Sequence, residues 1–535
     1  MKRLKTAFTL LMLLGSVGSH AQTQTLSGFT SFNKKAITPI YERNEVKGYT
    51  MVYRTEKAES KSDIYGLDFF DENLQKVGSV VLPKERYNSH LIRRASNGET
   101  FSFYFYNSRS KRLEIDVFDK ALNKVASRQF AGLTKADQDV ALQEMHVACN
   151  GGSKLISGLN LYAVPEKGYV RNGYTGKMKG FSLEMYDNNL EQIWAYSSED
   201  TSKAYESLLV NEVTDKYILA TITRKPGKSS KQLDFFVAAF DIETGQKVLD
   251  VAVEKDQTQQ LAVSSFSFDD SKGELIIMGE YYSPEDIEME GKSMGFFLKR
   301  IDLDGKELSE KLFAWDKDVN PLLPQEAQKS LEEGFISFVH KIVRGADGRQ
   351  HIVAEQYKLK ADGVGIALSV LGGGTSTIKG VIGNMMIYTL GADLNLEKIS
   401  FYKKDQTDCI LPPGTGAYGA GLAGLVINMN GGFDYQFTQE ENSQSGFNTT
   451  FINYRQVKNS KFREKTLVNI TYADNNEQVT DKIDVTNRYD VVSYVYPAKP
   501  GYVLVLGSQP EEEKLEMKLV KLDKQYLQQS LRAQQ

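Results

Sequence analysis

Four histidines lie beyond the first twenty residues: His90, His146, His340 and His351. None stands in a ligand spacing such as HExxH, so isolated core or axial histidines are expected and no metal is assigned. Cys149 and Cys409 are the only cysteines, too few in 535 residues for a disulfide framework. No G-x-S-x-G nucleophile elbow occurs, and the carboxylates are too numerous for a glycosidase pair to be chosen by spacing. Gly414-Thr415-Gly416-Ala417-Tyr418-Gly419 fits G-x-G-x-x-G, with Asp434 lying 20 residues beyond Gly414. Pro412-Pro413 and the β-rich surroundings deny it the βαβ context a dinucleotide needs, so no cofactor is expected. Gly372-Gly373-Gly374-Thr375-Ser376 lacks the Lys of a P-loop. Asp302-Leu303-Asp304-Gly305 opens like a calcium loop but lacks the rest of that pattern, which leaves a turn. Catalytic residues stay unassigned.

The composition excludes several classes. The chain is 41% hydrophobic and 25% charged, with a mean hydropathy of −0.39, which fits neither disorder nor a multi-span membrane protein. A net charge of −4 offers no basic footprint for nucleic acid. Lys2, Arg3 and Lys5, then apolar Ala7 to Val17, then Ser19-His20-Ala21 predict a secretory signal peptide over residues 1–21. No later stretch is long and apolar enough for a transmembrane helix. With 28 Tyr and 27 Phe, the remainder suits pleated, half-buried strands.

The turns carry a rhythm. One kind starts on Asp after an alternating apolar run, as at Asp71, Asp119, Asp187, Asp241, Asp302 and Asp393. Asp favours that position because its side chain bonds the backbone two residues on. A second kind is richer in Asn and Gly: Asn97-Gly98, Asn150-Gly151-Gly152, Lys272-Gly273, Asp347-Gly348 and Asn430-Gly431-Gly432. With weaker members included, the two kinds alternate through sixteen turns, which predicts eight units of four strands. The expected fold is all-β, a β-propeller of about eight four-stranded blades with seven as the alternative count, formed by residues 22–535 as one domain. Leu26 to Phe32 is the expected strand that closes the ring.

In such blades the tight turns share one face, and the remaining loops and links share the other. The expected long connections are 163–180, 283–295, 315–334, 358–384, 405–424 and 438–449, so long insertions gather on one face. Pro324 to Glu333 is the expected surface helix, with Pro324 near its start. The Gly/Ala-rich insertions at 358–384 and 405–424 either cover the channel or form an apolar binding lip. Candidate binding residues there are Gly363, Ile366, Leu368, Leu371, Gly414, Tyr418 and Leu422. Cys149 at a tight turn and Cys409 in an insertion would lie on opposite faces, unbonded to each other. His90, His146 and His340 fall in innermost strands.

The leader ending at Ala21, with Phe118-Asp119-Lys120-Ala121-Leu122-Asn123-Lys124 and Tyr186-Asp187-Asn188-Asn189-Leu190-Glu191, resembles uncharacterised exported β-propeller-like proteins of Bacteroidota. The resemblance implies a Gram-negative envelope setting and transfers no catalytic residue. With no recognisable sorting domain after Asp523, the periplasm is expected, the extracellular space being the alternative. The functional expectation is a monomeric, non-enzymatic propeller binding a protein or glycan partner in the envelope through its insertion-bearing face. The alternative is a glycan-active periplasmic hydrolase with carboxylates at the channel mouth.

Overall fold

A computed structural model describes residues 23–522, apart from 28–36, 43–44, 55–61, 86–87, 150–159, 176–178, 199–203, 228–229, 231, 233, 254–257, 270–271, 290, 346, 363–376, 412–419, 442–445, 458–462, 473–477, 486–491 and 510–513. Eight antiparallel sheets follow one another along the chain, each with its strands paired in sequence order. They span residues 37–85, 89–130, 161–197, 205–252, 260–314, 336–402, 435–484 and 492–521, here blades 1 to 8. Consecutive first strands touch one another and so line the axis. The fold is an eight-bladed β-propeller. Blade 8 takes its fourth strand from the N-terminus: Thr23–Ser27 pairs antiparallel with Lys514–Lys521, in the register Thr25↔Glu516. The closing strand therefore starts three residues earlier than the alternation of Leu26 to Phe32 suggests.

Burial closes the ring seam by seam. Eight apolar clusters each join two neighbouring blades, the one between blades 8 and 1 uniting Ile37, Tyr49 and Leu74 with Leu504, Leu515 and Met517. Radial repetition thus gives each blade an apolar core shared with its neighbours on both sides.

The Asp turns make these seams. Asp71 Oδ1 accepts the Asn73 and Gln75 N–H groups at 2.9 and 2.8 Å, and Asp187 repeats this with Asn189 and Glu191. Each such loop ends in a left-handed residue, which is Leu74, Leu122, Leu190 or Leu394, with φ between 61° and 67°. Leucine in this conformation is strained by about 1–2 kcal/mol. Burial offsets the strain, because Leu74, Leu190 and Leu394 are each 2–3% exposed, packed on the preceding blade. Where glycine takes the left-handed place, the preceding blade fills the gap itself: Trp194 lies against Gly245, and Val251 against Gly305. Leu190→Ala, keeping the strain and losing the burial, is expected to lower stability by roughly 2–5 kcal/mol. Leu190→Gly should be milder by about 1–2 kcal/mol, since it releases the left-handed strain. Urea unfolding of both variants checks the order; at an unstrained core position glycine would not be the milder change.

One Gly signal, Asn430-Gly431-Gly432, marks a helix rather than a hairpin, while Asn150-Gly151-Gly152 lies outside the described residues, just after another helix. Residues Lys135–Cys149 form helix α1, started by Thr134, whose Oγ1 accepts the Asp137 N–H at 3.0 Å. Ala136, Val140 and Ala141 bury one face of it. His146 and Cys149 therefore belong to α1 rather than to an inner strand and a tight turn. Blade 3 starts at Leu161–Val164, and its hairpin turns at 165–167, so 163–180 is not one connection; only 175–180 joins its second and third strands. Gln325–Glu332 is helix α2, entered from Pro324 as expected. Ala420–Met429 is helix α3, and Asn430-Gly431-Gly432 caps it: Gly431 has φ 62°, and the Gly432 N–H donates to the Ile427 carbonyl at 2.9 Å. The hairpin of blade 7 instead joins Tyr435–Glu441 to Gly446–Gln456, so 438–449 is no insertion.

The remaining connections keep the expected sidedness. Helix α1, the turns of helix at Trp315–Val319 and Asn320–Leu322, α2 and α3 all lie in blade-to-blade links. So does a short strand, Thr407–Ile410, that pairs with the third strand of blade 6. Strand order places every one of them opposite the tight turns, together with the 283–294 loop of blade 5.

Candidate functional site

Blade 6 and its neighbours hold the densest chemistry. The second strand of blade 6, Gln350–Ala361, is buried almost throughout and carries Glu355 in its interior at 0% exposure. A carboxylate there must be paired. Glu355 accepts the backbone N–H of Asp434 at 3.3 Å and of Tyr435 at 3.0 Å. Lys404 Nζ lies 3.2 Å from Glu355 Oε1 and also donates to Asp434 Oδ2, which accepts the Thr407 hydroxyl at 2.7 Å. His340, from the first strand of blade 6, sets Nε2 3.3 Å from Glu355 Oε2 and stacks on the Tyr435 ring at 4.2 Å.

Two carboxylates share one ammonium, so they titrate differently. Burial opposes ionisation of Glu355, but Lys404, His340 and the Tyr435 N–H outweigh it and hold the carboxyl below its ordinary range. Burial and the Glu355 charge push Asp434 up to about 6, against the pull of Lys404. Burial likewise opposes the charge on Lys404, and the two carboxylates more than restore it. The cluster is sealed and internally satisfied. It pins the link from Lys404 through Thr407 to Asp434 onto blade 6, a clasp for the segment that carries the Thr407–Ile410 strand and α3.

A second buried acid sits one seam away. Glu280, on the second strand of blade 5, is 6% exposed, and its Oε2 accepts the Tyr282 hydroxyl at 2.6 Å. Helix α3 lies above: Tyr282 Oη accepts the Gly421 N–H at 3.1 Å, and Leu425 and Ile427 pack toward Phe338, Tyr357 and Phe433. The Gly/Ala-rich link thus covers the blade 5–6 seam.

Of the candidate binding residues, Leu422 falls in the first turn of α3. Gly363, Ile366, Leu368, Leu371, Gly414 and Tyr418 lie outside the described residues, as does the leader, 1–21. The G-x-G-x-x-G glycines also lie there. A helix does follow them, contrary to expectation, yet the strand before it, Thr407–Ile410, is antiparallel and Asp434 is Lys404's partner. Asp302 Oδ1 accepts the Lys306 N–H at 2.8 Å, making the calcium-like stretch a turn. Cys409 is a free, partly buried thiol. His90 and His340 occupy first strands as expected, and His351 a second strand. Sequence reasoning passed over Glu280, Glu355 and Lys404. The available signal was a carboxylate directly after an apolar stretch, Glu280 after 275–279 and Glu355 after 352–354.

Large apolar side chains also stand exposed on this face: Ile410 on the short strand, at 84%, Ile287 and Met294 in the blade 5 loop, and Leu322. Among the described residues no helix is long and apolar enough to cross a membrane, and no three His, Cys, Asp or Glu side chains gather to hold a metal ion.

Fold and site together define an eight-bladed β-propeller with one elaborated face, clasped by buried ion pairs. The chain belongs to the family described as a family of unknown function (DUF6770), whose model matches residues 1–523. No curated protein matches it. Among solved structures it is similar to prolyl oligopeptidase B from Galerina marginata, with 8% identity, a TM-score of 0.38, and coverage of 91% of this chain and 55% of that one. The acylaminoacyl peptidase of Pyrococcus horikoshii follows at 9% identity and a TM-score of 0.34, with 89% and 58% covered. The C-terminal domain of PilY1 from Pseudomonas aeruginosa shows 10% identity and a TM-score of 0.29, with 79% and 93% covered. The chain spans a little over half the length of the two peptidases.

Proposed function

We propose that this is an exported, non-enzymatic binding propeller of the cell envelope that takes a protein or glycan partner on its insertion-bearing face. The observation that supports this most is the clasp: Lys404, Glu355 and Asp434 fix an insertion to blade 6 through fully buried charges. A link anchored so firmly presents its outer side chains, Ile410 above all, on a rigid platform, on the same face as the exposed Ile287, Met294 and Leu322. The leader pattern of residues 1–21 supports export.

The test replaces Ile287, Met294, Leu322 and Ile410 together by Ser in the tagged chain. Partner recovery after in-cell cross-linking is expected to fall at least ~10-fold, about 1.4 kcal/mol of binding. The control replaces the exposed Lys120, Glu243 and Asp304 and the half-buried Asn73 of the tight-turn face, and should leave recovery unchanged. Equal losses from both variants, or none, would remove the support for this face.

A second reading, a glycan-active hydrolase, draws on one arrangement at the tight-turn end of the first strands. Burial raises the Glu212 carboxyl, Glu440 raises it further, and Lys341 opposes them, so side chains of blades 4, 6 and 7 meet near the axis. Release of reducing sugar from envelope glycans, abolished by Glu212→Gln, would favour that reading over binding.

A further inference from the structure

Helix α3 rests on a floor that one proton can change. Ala420–Met429 contains no ionisable side chain. Its Gly421 and Gly424 face downward: a Cβ on Gly421 would lie 2.7 Å from Glu280 Oε2, and one on Gly424 would lie 2.5 Å from Tyr357 Oη. Glycine at both places lets the helix backbone lie directly on the Tyr282 and Tyr357 hydroxyls, and the Gly421 and Gly424 N–H groups bond to them. Beneath, Glu280 offers one oxygen to Tyr282, while its Oε1 is buried with no hydrogen-bond partner. Glu280 also lines a cavity of about 10 Å³ shared with Ser264, Ser337, Tyr357 and Leu425 and with Gly421 of the helix.

No cation among the described lining residues faces Glu280. The first strand of blade 5 contributes Ser264, the second Tyr282, and α3 nothing titratable. From blade 6 the first strand contributes Ser337 and Phe338, while its His340 turns to Glu355 and Tyr435. The second and third strands of blade 6 contribute Tyr357 and Tyr388, both neutral near pH 7 with burial raising them further. An ionised Glu280 would be a buried charge with a single tyrosine donor. Burial accordingly pushes this carboxyl up to about 7.

We propose that α3 is a proton-latched lid over the blade 5–6 seam, seated when Glu280 is protonated and released when it ionises. The direction follows from linkage. A carboxyl raised in the seated state favours that state fully below its ordinary value near 4.5 and loses the contribution as pH rises through about 7. Release lets water reach Glu280 and uncovers Cys409, which packs beneath Ile427 beside Gly380 and Gly432. The latch goes beyond the binding proposal and holds whatever the face recognises.

The test uses the full chain with Cys149→Ser, so that Cys409 is the sole thiol. Hydrogen exchange of residues 420–432, corrected for intrinsic rates, is compared at pH 5.5 and 8.5 with Cys409 alkylation as a second readout. Protection is expected to fall by at least ~10-fold across this range, since 8.5 lies well past the Glu280 midpoint. Glu280→Gln, neutral at every pH, should stay protected, and its Cys409 alkylation should rise no more than thiol ionisation itself requires. Asp434→Asn should keep the fall, which separates Glu280 from the other acid titrating in this pH range. A pH-independent lid in the unsubstituted chain, or a fall that survives Glu280→Gln, overturns the proposal. Should Glu280→Gln not fold, the pH profile of the unsubstituted chain and of Asp434→Asn decides alone.

Discussion

Lys404→Met is expected to destabilise the protein by roughly 3–5 kcal/mol at pH 7, among the largest effects of any single substitution here. The Lys404 and Glu355 side chains are 0% exposed and Asp434 is 8% exposed, so removing the ammonium strands two carboxylates out of water. Glu355 keeps His340 and two backbone N–H groups, and Asp434 keeps the Thr407 hydroxyl, none of which replaces a full positive charge. The deficit should depend on pH. Without Lys404 both acids hold folded-state pKa values above their unfolded ones, a contribution lost as pH rises, so the variant should be weakest at pH 7–8 and recover toward pH 4–5. In the unsubstituted protein Asp434, raised to about 6, behaves the same way, and Glu355, held low, behaves oppositely. Lys404→Met combined with Glu355→Gln and Asp434→Asn removes the ammonium and both carboxylates together. It should regain most of the loss, because replacing a whole buried ionic group is often nearly neutral. Urea unfolding across pH 5–8 reads all of this. A deficit that does not change with pH would mean that the cluster acts by packing alone.

Trp194→Ala should lower stability by a similar roughly 3–5 kcal/mol. Trp194 stands at the seam of blades 3 and 4, 9% exposed, among Phe181, Met185, Ile218 and Phe240. Its Nε1–H donates to the Ile242 carbonyl at 2.7 Å, in the Asp turn of the next blade. Its ring occupies the space that a left-handed leucine fills at the seams of Leu74, Leu122, Leu190 and Leu394, above Gly245. Truncation therefore leaves a cavity and an unpartnered carbonyl together, and no leucine across the seam to collapse into it. Trp194→Phe keeps part of the ring and loses the donor, so it should recover about half. Hydrogen exchange within blades 3 and 4 should locate the weakening there; loss spread evenly over all eight blades would contradict the seam account.

How far the fold was legible follows from these residues. Asp turns could be read because an Asp carboxylate accepting backbone N–H groups two and four residues on is a local device that needs no tertiary context. Glycine turns were ambiguous for the same local reason. Asn430-Gly431-Gly432 satisfies a helix C-cap as readily as a hairpin, and only the burial of Ile427 and Ala423 beneath α3 decides which. Helix α1 was masked by weak amphipathicity over Lys135–Cys149, where tertiary packing on blades 2 and 3 outweighs the sequence pattern. The buried clusters were less accessible still. Glu355, Lys404 and Asp434 lie up to 79 residues apart and meet only because a link folds back over its own blade. Trp194 and Gly245 likewise belong to different repeats, so their complementarity exists only across a seam.

One measurement bears most directly on the central claim that the insertion-bearing face is the binding face. A photo-activatable aromatic residue is placed singly at Ile287, Met294, Leu322 and Ile410, and at Asn73, Lys120, Glu243 and Asp304 on the tight-turn face. The chain is irradiated in intact cells and the adducts are resolved by mass. Discrete, shared adducts from the first four positions and none from the second four are expected. Adducts of the same partner from the tight-turn positions alone would contradict the account.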